Sequence, residues 1–334
     1  MPAYRRVEVH TKSKDFRAAT HIVTEPELPK PAPGHIVVKN HYVGINATDI
    51  NLTNGAYSPA PPPFGCGLDA VGVVVDVGEG VDDIKLDDAV LYKKFGAFAE
   101  YVEVPAVLVV KVPAPIPEVL PLLTSGSSGS VALEVVGEMK SGETVLVTAA
   151  AGATGQIVVQ LAKLAGNHVI GTCSSDEKAA YLKSLGCDRV INYTTEDVEA
   201  VLKAEYPNGV NLVFETVGGE MLKAAVRNIA KYGRIIAFGY ISGYQGDVDL
   251  SKQLTAAELV PILLFRSASL RGFISSNHSE HLKPHIVRML GLIQEGKLKV
   301  EVDPTEFKGL EAIPEAIDYL FAKKNLGKLA VKLV

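Results

Sequence analysis

Ala149-Ala150-Ala151-Gly152-Ala153-Thr154-Gly155-Gln156 is a glycine-spaced loop between an apolar run, Thr144–Thr148, and a helical pattern, Gln156–Leu164. Residues of these types at this spacing suit a dinucleotide. A side chain at Gly152 would obstruct backbone approach to a pyrophosphate, and Gly155 lets the helix pack closely on its strand. The helix N-terminus offers N–H groups and a favourable dipole to the anion. Ala150 stands in place of the fingerprint's first glycine. The context of strand before, helix after and further alternation behind separates a fingerprint from an ordinary turn.

NAD-specific loops carry an acid about 20 residues further on, at the tip of the second strand, to hold the ribose 2′-hydroxyl. Here that stretch reads Gly171-Thr172-Cys173-Ser174-Ser175, without a carboxylate. Ser174 offers a hydroxyl, and Lys178 a positive charge one helical turn on. This pair suits a 2′-phosphate, which a carboxylate would repel, so the expected cofactor is NADPH rather than NADH. Asp176 and Glu177 serve the dipole of the helix they open.

The elements that must position these residues fall into two patterns. The 334 residues make about two domains at ~150 residues each. Until about Leu122 the chain shows short β-like runs broken by Pro and Gly, including the proline-dense Pro59–Pro63. From Glu143 strands and helices alternate. Strands are expected at Thr144–Thr148, His168–Cys173, Arg189–Asn192, Val210–Phe214 and Gly233–Phe238. Helices are expected at Gln156–Leu164, Asp176–Leu185 (capped by Ser175), Glu196–Glu205 and Met221–Ala230. This alternation implies parallel strands with crossover helices. It stops near Phe273. The tail, with helices at Pro284–Glu295 and Ile313–Lys323 and a strand at Lys328–Leu333, is too short for a domain of its own. The expected class is therefore α/β, a doubly wound parallel sheet over residues 125–273 inserted in a β-rich domain built from residues 1–124 and 274–334.

With 33 Lys+Arg against 38 Asp+Glu, the net charge of −5 speaks against a dedicated nucleic-acid binder. Visible apolar runs stop well short of ~20 residues, so no membrane partner is expected. No apolar run follows the basic Met1–Arg6, so no secretory leader is expected. Three scattered cysteines, Cys66, Cys173 and Cys187, fit a reducing compartment. A cytoplasmic location is expected, and Lys332-Leu333-Val334 is not a peroxisomal tripeptide.

The residues resemble those of the medium-chain dehydrogenase/reductase superfamily, in its zinc-independent, quinone-reductase-like branch. The segments that carry the resemblance are Val43–Asp49, Ala70-Val71-Gly72, Ala149–Gly155, Gly171–Lys178 and Gly239–Tyr244. It implies a GroES-like catalytic domain around a Rossmann insert. It also implies reduction of α,β-unsaturated ketones, such as 15-oxo-prostaglandins, by NADPH. By position it assigns Thr154 to the pyrophosphate loop and Ser174, Lys178 and Tyr193 to the 2′-phosphate. Thr216, Phe238 and Tyr244 follow the fourth and fifth strands. Phe273, Ile274, Ser275 and Asn325 fall at the nicotinamide end. Thr216, Phe238, Ile274, Ser275 and the Ser127-Ser128 pair depart from the residues expected there. A peroxisomal location is a further implication of the resemblance.

Zinc is not expected. Where zinc-dependent relatives carry Cys this chain has Asn46, and where they carry Gly-His-Glu it has Gly67-Leu68-Asp69. His278, His281 and His285 lack an accompanying general-base Glu, and Pro284 is expected to interrupt their helical face. Without a metal, hydrogen-bond donors must meet the enolate oxygen. Tyr244 is the first candidate donor, with cofactor packing as its other reading. Tyr57 is a candidate pocket residue, Asn46 a candidate for orienting a ribose hydroxyl or the substrate carbonyl, and Asp49 a structural or ribose-orienting one. Two alternatives stay open: a quinone reductase acting on quinones and xenobiotic enones, and a non-catalytic NADPH-binding protein. The Ser267–Phe273 strand would be an exposed edge, which predicts a homodimer paired there.

Overall fold

The computed structural model describes residues 3–57, 60–246 and 253–334. Pro59, at the head of the proline-dense loop, lies outside them. The chain divides into one unit of Met1–Thr124 with Glu301–Val334 and a second of Ser125–Val300.

The first unit is β-rich. Its main sheet runs in the order Phe307–Lys308, Leu329–Lys332, His35–Ile45, Asp69–Val77, Ala89–Lys93, Val109–Lys111, and Tyr101–Pro105 also pairs with His35–Ile45. A three-stranded sheet places Tyr4–Val9 between Thr20–Glu25 and Phe64–Gly65. Valine and isoleucine fill the inner positions, with Ile36, Val38, Val43, Val71, Val74 and Val90 fully buried. Two pairings matter most for function. Gly44 pairs with Asp69, and Leu329 with Ile45, so residues from near both ends of the chain meet at the end of the longest strand.

The second unit holds six parallel strands in the order Arg189–Asn192, His168–Cys173, Thr144–Val147, Val210–Glu215, Ile229–Ala237, Ser269–Gly272. Taken in sequence this is 3-2-1-4-5-6, the doubly wound order whose reversal point beside the first strand receives a dinucleotide. Leu146, Ile170, Ile191, Val213 and Ile235 form a core with Val198, Leu202, Ala224, Ala225 and Val226 from the crossover helices.

Three expectations need correction. The return to the first unit comes at Glu301, not at residue 274. The helix Ser279–Gln294 packs on Ser128–Val131 through polar contacts that periodicity does not reveal. Ser130 Oγ lies 2.7 Å from His285 Nδ1, and Arg288 donates to Ser130 Oγ at 2.7 Å and pairs with Glu134. Gln160 donates to Lys299 O and accepts from Lys299 N–H, both at 2.8 Å. Pro284 does not interrupt the Ser279–Gln294 helix, which continues through it. The lost backbone bond is outweighed where Ile286 and Met289 bury against the unit. Finally, Pro117–Val136 joins helical segments into one stretch long and apolar enough to cross a membrane, which the short visible runs had concealed. Most of it is buried inside the protein, as a core helix would be.

Candidate active site

In the second unit the fingerprint loop connects Thr144–Val147 to the helix Gly155–Leu164. Its first turn is held by Ala149 at a φ of 46°, an uncommon conformation for a non-glycine residue. Ala149 N–H donates to Thr172 Oγ1 and Ala150 N–H to Thr172 O, which fixes the loop to the second strand. A Cβ at Gly155 would lie 2.6 Å from Ala149 O, Ala150 Cα and Ala150 O, so the close helix–strand packing requires glycine. At Gly152 the nearest atom to such a Cβ is Ala149 O at 3.3 Å. The constraint there comes far less from the protein itself, as a ligand-facing glycine requires. Thr154 stands at the helix N-cap without a side-chain cap bond, and no acid occupies the first turn. The next two helices are capped by Ser175 and Asp197. An uncapped N-terminus behind a glycine loop fits a pyrophosphate.

The parallel register Cys173↔Asn192, with Tyr193 N–H donating to Cys173 O at 3.0 Å, brings the tips of the second and third strands side by side. Ser174 and Tyr193 therefore flank one spot, both half-buried, with half-buried Lys178 one turn into the next helix. Two nearby acids have partners of their own. Asp176 accepts from Asn192 Nδ2 at 2.9 Å, and Glu196 pairs with Arg189 at 2.6 Å. Cys173 is buried, and burial raises its thiol pKa, so it offers no thiolate.

At the carboxyl ends of the fourth and fifth strands, Thr148 Oγ1 accepts from Thr216 N–H at 2.8 Å and lies 3.2 Å from Thr216 Oγ1. Phe238 stacks on Phe273 with centroids 5.2 Å apart, and Phe273 on His278 at 5.4 Å. Tyr244 is 5% exposed, with its ring edge-on to Tyr240 and its oxygen against Gly239. Ile274 is exposed and Ser275 half-buried. Glu215 was missed by sequence reasoning. It is buried at the end of Val210–Glu215 and accepts from the N–H groups of Val217 and Gly218. Burial raises its pKa, and these donors pull it back. Its role is to fold the Thr216–Gly218 turn. The available signal was an acid ending an apolar strand just before a glycine pair.

In the first unit Asn46, Asp49, Asp69 and Lys328 form one buried cluster. Asn46 Nδ2 donates to Gly44 O at 3.1 Å and to Asp69 Oδ1 at 3.0 Å. Lys328 Nζ donates to Asn46 Oδ1 at 2.6 Å and to Asp69 Oδ2 at 3.4 Å. Asn46 N–H donates to Asp49 Oδ2 at 2.8 Å, and Asp49 Oδ1 has no partner among the described residues. Both hydrogens of the Asn46 amide, expected to orient a ribose hydroxyl or the substrate carbonyl, are engaged within the unit. Asn325 donates to Gly327 O at 3.0 Å, three residues before Lys328. Tyr57 is on the surface of this unit, 36% exposed. Among the described residues no group of three or more His, Cys, Asp and Glu is placed to hold a metal ion.

Two family models match the chain: zinc-binding dehydrogenase over residues 153–290 and alcohol dehydrogenase GroES-like domain over residues 32–114. Prostaglandin reductase-3 of Mus musculus is 46% identical over 337 residues, covering 98% of this chain and 89% of the relative. A probable quinone oxidoreductase of Leishmania amazonensis is 42% identical over 334 residues, covering 99% of this chain and 98% of the relative. The crystal structure of Escherichia coli quinone oxidoreductase complexed with NADPH matches with a TM-score of 0.83 at 27% identity, covering 98% of this chain and 99% of that one. A β-rich unit completed by the C-terminus, a doubly wound unit with its fingerprint loop, and relatives matched along nearly the whole length agree: the chain belongs to the medium-chain dehydrogenase/reductase family.

Proposed function

We propose that this chain is an NADPH-dependent reductase of conjugated carbonyl compounds, with α,β-unsaturated ketones such as 15-oxo-prostaglandins as its substrate class. One observation carries the cofactor assignment: the tip of His168–Cys173 runs into Ser174, flanked by Lys178 and Tyr193, and the next acid, Asp176, is held by Asn192, which suits a 2′-phosphate. The NADPH complex of the Escherichia coli relative supports the same cofactor. When bound, NADPH supplies a hydride from its nicotinamide ring. The protein's part is to bind and orient. The N-terminus of Gly155–Leu164 receives the pyrophosphate, and Ser174, Lys178 and Tyr193 hold the adenosine end. Thr216, Phe238 and Phe273 shape the carboxyl edge of the sheet. Burial of Tyr244 favours packing on the cofactor over donation to the enolate. Tyr57 is the more accessible of the two phenols as a substrate-pocket residue. The α-carbon proton is taken from water, and no metal takes part.

The relatives' names divide between prostaglandin and quinone reduction. The test is NADPH oxidation by purified protein, followed by absorbance, with a 15-oxo-prostaglandin and an ortho-quinone in parallel. The expected result is turnover of both, with the larger kcat/KM for the enone. The reverse order makes the chain a quinone reductase. NADPH binding without oxidation by either acceptor would leave a non-catalytic nucleotide-binding protein.

We also infer a homodimer. Among the described residues Ser269–Gly272 pairs only with Ile229–Ala237 and ends the parallel sheet, which leaves its outer edge for a second copy. The preceding helix, Ala256–Arg266, exposes Leu264 at 71% and Phe265 at 83%. Light scattering after gel filtration should give a dimer mass for the native protein and a monomer mass for Leu264→Asp/Phe265→Asp. A monomeric native protein would overturn the inference.

A further inference from the structure

One matched family model is described as zinc-binding dehydrogenase, yet the buried cluster of Asn46, Asp49, Asp69 and Lys328, which lies outside the residues it matches, does not compose a zinc site. Asn46 and Asp69 bring no Cys or His to a metal, and the space between them already holds a cation. Lys328 Nζ donates to Asn46 Oδ1 at 2.6 Å and to Asp69 Oδ2 at 3.4 Å, and both Lys328 and Asp69 are fully buried. Gly44 makes room for it. A Cβ there would lie 2.8 Å from Lys328 Cε and 3.0 Å from Nζ, and closer still to Asp69 Oδ1. Asp49 and Asp69 are the acids of the cluster; Lys328 forms an ion pair with Asp69, and half-buried Lys93, opposite Asp69 on the neighbouring strand, adds its charge. The thiol of Cys66, fully buried nearby, is held protonated by that burial rather than available as a thiolate ligand.

We propose that the Lys328 ammonium, and not a metal ion, is the resident cation of this cluster. We propose further that it is a positioning residue for the reaction. The physical reasoning is direct. An ammonium with two hydrogen-bonded acceptors neutralises a buried carboxylate without the three soft or borderline ligands that zinc demands. It also ties together two segments distant in sequence. One is the turn Asn46-Ala47-Thr48 leading to Tyr57. The other is the turn Asn325-Leu326-Gly327, which the resemblance sets at the nicotinamide end. Lys328 orients the Asn46 amide, and that amide holds Asp69 and Gly44 O. Removal of the ammonium leaves buried Asn46 Oδ1 without its donor and buried Asp69, still held by the Asn46 amide, without its ion pair.

The test has a metal arm, a stability arm and a kinetic arm, and only the kinetic arm rests on the reductase reading. Native protein incubated with zinc and desalted should retain less than about a tenth of an equivalent by elemental analysis. Lys328→Met should lower Tm by on the order of 10 °C, as expected for a broken buried pair. Its kcat for an enone should fall at least about tenfold, with the NADPH/NADH preference, set in the other unit, unchanged. The double variant Lys328→Met/Asp69→Asn removes both charges together. It should recover most of the lost Tm but not the lost kcat, because Asn46 Oδ1 still lacks the Lys328 donor that ties the two turns together. Recovery of both would reduce Lys328 to a structural role. Stoichiometric zinc in the native protein, or a Lys328→Met variant unchanged in Tm and kcat, would overturn the proposal. If the native protein reduces no acceptor at all, the reductase reading fails, while the metal and stability arms still decide the identity of the cation.

Discussion

Lys178→Ala raises the KM for NADPH by roughly 10- to 100-fold and leaves the KM for NADH within about twofold. The magnitude follows from the loss of one charge-assisted contact to a phosphate dianion, worth about 1.5–3 kcal/mol. The asymmetry follows from position. Lys178 lies one turn into Asp176–Ser184, beside the strand tip that receives the 2′-substituent, and that substituent is the only difference between the two cofactors. Ser175 caps the same helix by accepting from Lys178 N–H at 3.3 Å, a backbone contact that survives truncation of the lysine side chain. The helix therefore stays in place and the readout reports the charge. The reciprocal change, Ser174→Asp, puts a carboxylate at the tip and should move preference toward NADH. Steady-state KM values for both cofactors at fixed acceptor check both changes. Equal losses toward NADPH and NADH in Lys178→Ala would mean that the lysine supports the loop and not the phosphate.

Asp49→Asn should stabilise the protein, by an amount that grows with pH. Asp49 is fully buried, with one oxygen accepting Asn46 N–H and the other without a partner among the described residues. Desolvation holds its carboxyl well above the usual range, and neighbouring Asp69 pushes the same way, while the Asn46 N–H and Lys328 oppose them. The sign follows from proton binding. Above the ordinary carboxylate value near 3.9 the unfolded chain has released this proton, whereas the folded chain still holds it. Stability therefore falls as pH rises from the unfolded value toward the raised folded one, by up to ~1.4 kcal/mol per pH unit. Asparagine keeps the shape and can still accept the Asn46 N–H, but does not ionise. Melting curves from pH 4 to pH 8 should show the variant close to the native protein at the acid end and increasingly more stable above it. A variant less stable than the native protein throughout would mean that Asp49 is ionised in the fold.

The nucleotide unit was largely legible in the sequence because its signals are local. The loop from Ala149 to Gly155, the missing acid at Ser174 and the strand–helix alternation each lie within a few residues of what they position. Helix ends moved by a few residues. The helix expected from Met221 starts at Gly219, and the one expected from Pro284 starts at Ser279 and continues through the proline. The tail was misread because its attachment is polar and long-range. Ser130, Glu134 and Gln160 hold residues 285–299 to the nucleotide unit, and none of them marks an apolar period. The catalytic-unit cluster was half legible. Asn46 and Asp69 were noticed as departures from a zinc pattern. Lys328 joins them from 282 residues away, through the pairing of Leu329 with Ile45. Only that strand register brings the lysine into the cluster, where the Asn46 amide is turned inward.

The most direct test of the cofactor assignment is calorimetric titration of the native protein with NADPH and with NADH in the same buffer. NADPH should bind at least about tenfold more tightly, one dinucleotide per chain, because Ser174, Lys178 and Tyr193 meet a phosphate that NADH lacks. Equal affinities, or tighter binding of NADH, would contradict the reading of that strand tip and the function built on it.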